Sequence, residues 1–122
     1  MPAVVRRLAV VVVAMVLVGV ASLPAGSVSV VRGVSTDAGF RWRPRITEVA
    51  RSSRVVWKAV DGSHTVTSYG GGWSKNTTLP EGQQTSFTFN SRGTFKFRCT
   101  ILFHSTLSSG TCSGMCGKVV VS

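Results

Sequence analysis

Acid is what this sequence has least of. Four Asp and Glu stand against 14 Lys and Arg in 122 residues, for a formal charge of +10. The four, Asp37, Glu48, Asp61 and Glu81, are scattered singly along the chain. They offer no neighbouring carboxylate pair for acid–base work, and with only two histidines there is no hydrolytic constellation. Helical periodicity is missing as well. Beyond residue 25 no stretch carries its apolar residues at helical spacing, and short alternating runs are separated by Gly, Ser, Asn, Asp and Pro. That is an all-β pattern.

Long apolar runs are confined to the N-terminus. Arg6 and Arg7 precede Leu8 to Val20, which is almost unbroken Val, Ala, Leu and Met. Small residues follow, through Ala21-Ser22-Leu23-Pro24-Ala25. Charge, apolar run and small residues in this order read as a secretory signal peptide over residues 1–25, cleaved after Ala21 or Ala25. The run is short of the roughly 20 residues that span a bilayer, and an uncleaved anchor is the competing reading. Residues 26–122 form one domain. Loss of Arg6 and Arg7 leaves it at +8, so the basic character belongs to the domain itself.

Within that domain strands are expected over Ser27–Val31, Arg45–Val49, Arg54–Ala59, His64–Ser68 and Lys118–Val121. A hairpin joins Thr85–Phe89 to Thr94–Cys99 through Asn90-Ser91-Arg92-Gly93. Tyr69 to Gly82, with three successive glycines and Pro80, reads as mostly loop. Period-2 facing puts Phe95, Phe97 and Cys99 on one face of their arm, with Lys96 and Arg98 on the other. Cys99 therefore points inward with the phenylalanines. Seven or so short strands in under 100 residues predict a Greek-key β-sandwich.

The soft and imidazole donors of this domain are few and clustered. They are His64 and His104, the single methionine Met115, and Cys99, Cys112 and Cys116. His64 follows the Asp61-Gly62 turn. Cys99 ends an inward-facing strand, His104 follows on a loop, and Met115 precedes the last strand. Two imidazoles, one thiolate and a weak axial thioether make a blue copper set. Other readings remain open on the residues alone. Cys99 pairs equally well on paper with Cys112 or Cys116, zinc accepts a His2Cys set with a fourth ligand, and Met115 serves as plain core.

The stretch Arg45–Ser122 resembles the cupredoxins, the plastocyanin and azurin group. The resemblance rests on the ordered Ile46-Thr47, Trp57, His64-Thr65-Val66, Gly93–Cys99 and Gly114–Val121 segments. It implies a cupredoxin-like sandwich holding one type 1 copper by His64, Cys99, His104 and axial Met115. It also implies a one-electron carrier and not an enzyme. An exported copper-handling protein without redox duty is the alternative. In that family the downstream histidine lies in an apolar patch that passes the electron, and Ile101, Leu102 and Phe103 would supply part of it here.

Two departures stand out. Ten residues, Ser105 to Gly114, separate His104 from Met115, more than is usual in the family. Thr65 also stands where several members have an asparagine that braces the cysteine loop. With Cys99 assigned to the metal, Cys112 and Cys116 remain as an even pair. A disulfide between them would pin the Met115 loop.

The basic surface favours anionic partners. Arg41, Arg43 and Arg45 alternate, reading either as a solvated edge that blocks strand pairing or as a docking stripe for an acidic redox partner. Association with an anionic membrane or cell surface fits the same sign. Export argues against nucleic acid, and a monomer is expected.

Overall fold

The computed structural model describes Pro24 and residues 26–122. Apart from Pro24, the expected signal segment lies outside these residues. The described chain forms eleven strands. They are β1 (Val28–Thr36), β2 (Gly39–Arg43), β3 (Ile46–Val49), β4 (Ser53–Ala59), β5 (His64–Tyr69) and β6 (Asn76–Leu79). Then come β7 (Gln84–Phe89), β8 (Gly93–Arg98), β9 (Ser105–Ser108), β10 (Thr111–Gly114) and β11 (Cys116–Val121).

Two sheets make the sandwich. One runs β2-β1-β4-β7 and the other β3-β11-β8-β5-β6, while β9 and β10 pair only with each other. Most neighbours are antiparallel, but β1 pairs parallel with β4 and β3 parallel with β11. The chain crosses between the sheets after β2, at Pro44. An all-β sandwich is thus what the alternation predicted.

Alternation explains the core. In β8, Phe95 and Phe97 are buried while Thr94 and Lys96 are exposed. Cys99, one residue beyond, is fully buried on the same face. Trp57 of β4 meets Phe97 edge-on at 5.3 Å and stacks on Trp73 at 6.0 Å. Around them pack Val31, Val55, Val66, Phe89 and Val119. Trp73 packs half-buried against Phe87, Phe89 and Phe95, its Nε1–H donating to the Lys96 carbonyl at 3.0 Å.

The strands missed in the sequence are polar or short. The segment expected to be loop contains β6, which pairs with β5 so that Leu79 lies opposite His64. Only Leu79 of its four residues is buried, so its composition carried little apolar signal. β2 forms an antiparallel hairpin with β1. The expected first strand, Ser27–Val31, is in fact nearly twice as long because β1 continues through the glycine at position 33. That glycine bears directly on the site.

Truncating Phe97 would remove the ring between Trp57 and Trp42, 5.3 and 5.9 Å from each. Phe97→Ala is expected to cost about 3–5 kcal/mol of stability, measured as a lowered urea midpoint at unchanged slope.

Candidate metal centre

Three pieces of backbone bring the donors together. The Asp61-Gly62 turn starts β5 at His64, with Gly62 at φ +74°. The end of β8 presents Cys99, and the following turn carries His104, whose N–H donates to the Ile101 carbonyl at 3.0 Å. Met115 sits between β10 and β11. His64, Cys99 and Met115 are fully buried, and His104 is half-buried.

His64 Nδ1 lies 3.2 Å from His104 Nδ1. Cys99 Sγ lies 3.3 Å from His104 Nδ1 and 3.9 Å from His64 Nδ1. The centre of that triangle is about 2 Å from each corner, the bond length of an imidazole nitrogen to a first-row divalent ion. His64 Nε2 faces the Asp61 carbonyl at 2.6 Å. A carbonyl only accepts, so Nε2 carries the proton and Nδ1 keeps its lone pair free. Electron-rich atoms this close repel unless a proton or a cation lies among them. The chemistry of the set, two borderline nitrogens and one soft thiolate, fits copper. The metal would supply a reversible one-electron couple.

Burial is the main cause that pushes the His64 pKa below its ordinary value, partly opposed by the bond to the Asp61 backbone. Burial lowers His104 as well. Both shifts favour the neutral ring, the form in which imidazole binds metal.

The cysteine is braced from behind. The Thr65 N–H donates to Cys99 Sγ at 3.3 Å. The Thr65 hydroxyl oxygen accepts the Thr100 N–H at 2.8 Å and the Thr67 hydroxyl at 3.0 Å, and it pairs with the Thr100 hydroxyl at 2.8 Å. A threonine hydroxyl therefore ties β5 to the cysteine loop. The Ser105 hydroxyl donates to the Cys99 carbonyl, and the Cys99 N–H donates to the Met115 carbonyl at 3.1 Å. Gly33 forms the floor. A Cβ there would fall 2.8 Å from His64 Cδ2 and 3.0 Å from the Met115 methyl.

The long loop is not slack. Residues 105–114 fold into the β9–β10 hairpin, with Ser109 and Gly110 at its tip in positive φ. Two such residues match the twist of a tight hairpin. At its base the Met115 N–H donates to the His104 carbonyl at 2.8 Å. The extra residues are extruded and the two ends stay adjacent. Cys112 of β10 and Cys116 of β11 are joined by a disulfide across Met115, their Cα atoms 6.1 Å apart. Cys99 is the free cysteine.

The expected docking residues divide. Ile101 packs partly buried against the core, whereas Leu102 and Phe103 are 75% and 92% exposed beside His104. Phe103 has φ +69°, a left-handed conformation that costs a bulky residue about 1–2 kcal/mol. Arg41 and Arg43 belong to β2, Arg45 follows the crossover, and all three line a cleft of about 550 Å³ with Cys112 and Cys116. Arg45 also lines a second cleft, about 450 Å³, with Lys96 and Lys118.

Sequence reasoning did not find Gly33, Phe40 or Trp42 at this site. Phe40 lies 4.9 Å from the His64 ring and 4.6 Å from His104, and Trp42 lies 5.6 Å from His64. Their signal was the other half of the alternation in which Arg41 and Arg43 were noticed.

No family model and no curated relative matches the sequence. The fold does match solved structures. Pseudoazurin from Methylobacterium extorquens AM1 superposes with a TM-score of 0.60 at 18% identity, covering 79% of this chain and 76% of that one. The reduced Cu(I) form of an amicyanin mutant gives 0.58 at 23%, covering 82% and 86%. A purple cupredoxin from Nitrosopumilus maritimus gives 0.57 at 20%, covering 79% and 99%. The chain has the cupredoxin fold, with a His2Cys cluster and a buried methionine at one end of the sandwich.

Thr65→Val keeps the shape of residue 65 but leaves the Thr100 N–H without its acceptor. A loss of about 1–3 kcal/mol is expected, together with a changed metal-site spectrum; Thr65→Ser is expected to restore both.

Proposed function

We propose that this protein is an exported type 1 copper protein that carries single electrons. One copper ion is held by His64, Cys99 and His104, with Met115 as the weak axial donor. The observation that carries the reading is the buried triangle of two Nδ1 atoms and one Sγ, with sides of 3.2–3.9 Å. The axial role of Met115 is supported by its full burial and by its backbone bonds to both Cys99 and His104. A rigid set of donors changes little between oxidation states, which suits electron transfer more than delivery of the ion.

A carrier is favoured over an enzyme by what surrounds the set. No carboxylate joins the cluster among the described residues, and the Asp61 carboxylate accepts the Ser35 N–H at 2.9 Å. A copper-containing nitrite reductase from Thermus scotoductus shares the fold at 19% identity, but this chain covers only 22% of it. Export rests on the segment 1–25, with residues 26–122 as the mature domain.

Copper(II) added to the purified domain is expected to give intense blue absorption, a narrow copper hyperfine splitting and reversible one-electron voltammetry. A colourless adduct, or blue colour without reversible cycling, would overturn the carrier reading, the latter in favour of copper handling. Met115→Leu conserves volume and removes a donor that Cu(II) needs more than Cu(I). The potential is expected to rise while the blue colour stays.

The electron exits through His104, the one half-buried donor, at the apolar tip of Leu102 and Phe103. Arg41, Arg43 and Arg45 steer an acidic redox partner to that end, and the same charge would hold the protein near an anionic envelope surface. Electron self-exchange tests the tip without a partner. Phe103→Glu is expected to slow it at least ten-fold at unchanged potential. An unchanged rate would move the exit elsewhere. Replacing the three arginines by glutamine is expected to slow oxidation by hexacyanoferrate and flatten its salt dependence.

A further inference from the structure

The two imidazoles of the site are not held alike. His64 is fully buried, and its Nε2–H is tied to the Asp61 carbonyl at 2.6 Å. The Asp61 N–H is in turn tied to the Gly33 carbonyl at 3.0 Å. Rotation of the His64 ring therefore breaks this hydrogen bond. His104 is half-buried and sits in a short turn. Among the described residues its Nε2 has no hydrogen-bond partner. Its backbone is fixed by Ile101 and Met115, but those bonds do not set the ring angle.

What lies against the His104 ring is Phe40. The centroids are 4.6 Å apart with the planes tilted by 37°. The same phenyl ring meets His64 at 4.9 Å, near edge-on at 71°. His64 and His104 are themselves 5.2 Å apart, so the three rings form a closed cluster. Phe40 is in turn supported. A Cβ at Gly62 would come within 3.0 Å of its ring, so the turn before His64 packs closely on it. Across β1–β2 it pairs with Ser35, whose N–H is fixed by the Asp61 carboxylate.

The geometry points to Phe40 as a positioning residue. It holds the His104 imidazole at the angle that directs Nδ1 toward Cys99 and His64, the task that a hydrogen bond performs for His64. The β1–β2 hairpin thus belongs to the metal site although it supplies no donor. This inference rests on the copper reading for its metal arm and stands on the metal-free protein for its other arm.

The test compares the mature wild-type protein with Phe40→Leu, which keeps apolar bulk, and Phe40→Tyr, which keeps the ring. In the metal-free proteins, side-chain nuclear magnetic resonance reports the order of each imidazole. Phe40→Leu is expected to mobilise the His104 ring while His64 stays ordered, and Phe40→Tyr to leave both as in the wild type. In the copper-loaded proteins, Phe40→Leu is expected to surrender copper to a chelator about two- to ten-fold more readily, the effect of one lost aromatic pair. Its hyperfine splitting should change as well. Phe40→Tyr is expected to match the wild type in both.

An ordered His104 and unchanged copper retention in Phe40→Leu would overturn the proposal. Equal loosening of both histidines, or a global loss of stability shared by the Leu and Tyr variants, would overturn it too, because Phe40 would then be ordinary packing. A wild type that takes up no copper would defeat the metal reading, while the metal-free comparison would still decide the role of Phe40.

Discussion

Two ring nitrogens and a sulfur are forced to within 3.2–3.9 Å of one another at one end of this sandwich. Three electron-rich atoms in a dry pocket repel and carry unmet polar demand. The neighbouring structure answers that demand. The carbonyl of Asp61 fixes the His64 tautomer, the N–H of Thr65 meets the sulfur, and the Thr65 hydroxyl pins the loop that carries the sulfur. Even a glycine is conscripted, since any side chain at position 33 would enter the space of His64 and Met115. Remove the convergence and these features lose their common reason.

The same constraint explains how the chain tolerates its long ligand loop. Ten intervening residues would ordinarily spread the ends of the loop and add closure entropy. Here they pair with themselves, and the Met115 N–H to His104 carbonyl bond closes the hairpin where the site begins. The Cys112–Cys116 disulfide then ties the hairpin to β11 on the far side of Met115. Length has gone outward, into a projection flanked by basic clefts, and the donors are as close as a short loop would leave them.

What could be read from the sequence follows from where apolar signal is strong. β4, β8 and β11 carry alternating or continuous apolar residues, so their existence and the inward face of Cys99 were legible. The order of His64, Cys99, His104 and Met115 was legible for a different reason, since almost no other donors of their type exist in the domain. β6, β9 and β10 were not legible, because edge and hairpin strands made of Asn, Thr and Ser bury almost nothing. β2 failed for a subtler reason. Its arginines drew attention to the outward parity, and the inward parity, Phe40 and Trp42, is the one that touches the histidines. Apart from Pro24, the expected signal segment 1–25 lies outside the described residues.

Direction is the remaining consequence of the packing. Three of the four candidate donors are sealed from water, so a metal held by them communicates with solvent by way of the fourth. Next to it the chain places Phe103 in a conformation that a bulky residue pays to adopt, and the ring stands 92% exposed. Strain of this kind persists where surrounding structure imposes it, and it gathers at sites of function. The apolar tip and the basic clefts also lie on different residues, Leu102 and Phe103 in one case and Arg41, Arg43 and Arg45 in the other. Charge acts over roughly 8–10 Å through salt water, and apolar contact acts only on touching. On the proposed carrier reading, an encounter would be drawn in by the arginines and completed at the tip, with neither surface compromised to serve the other.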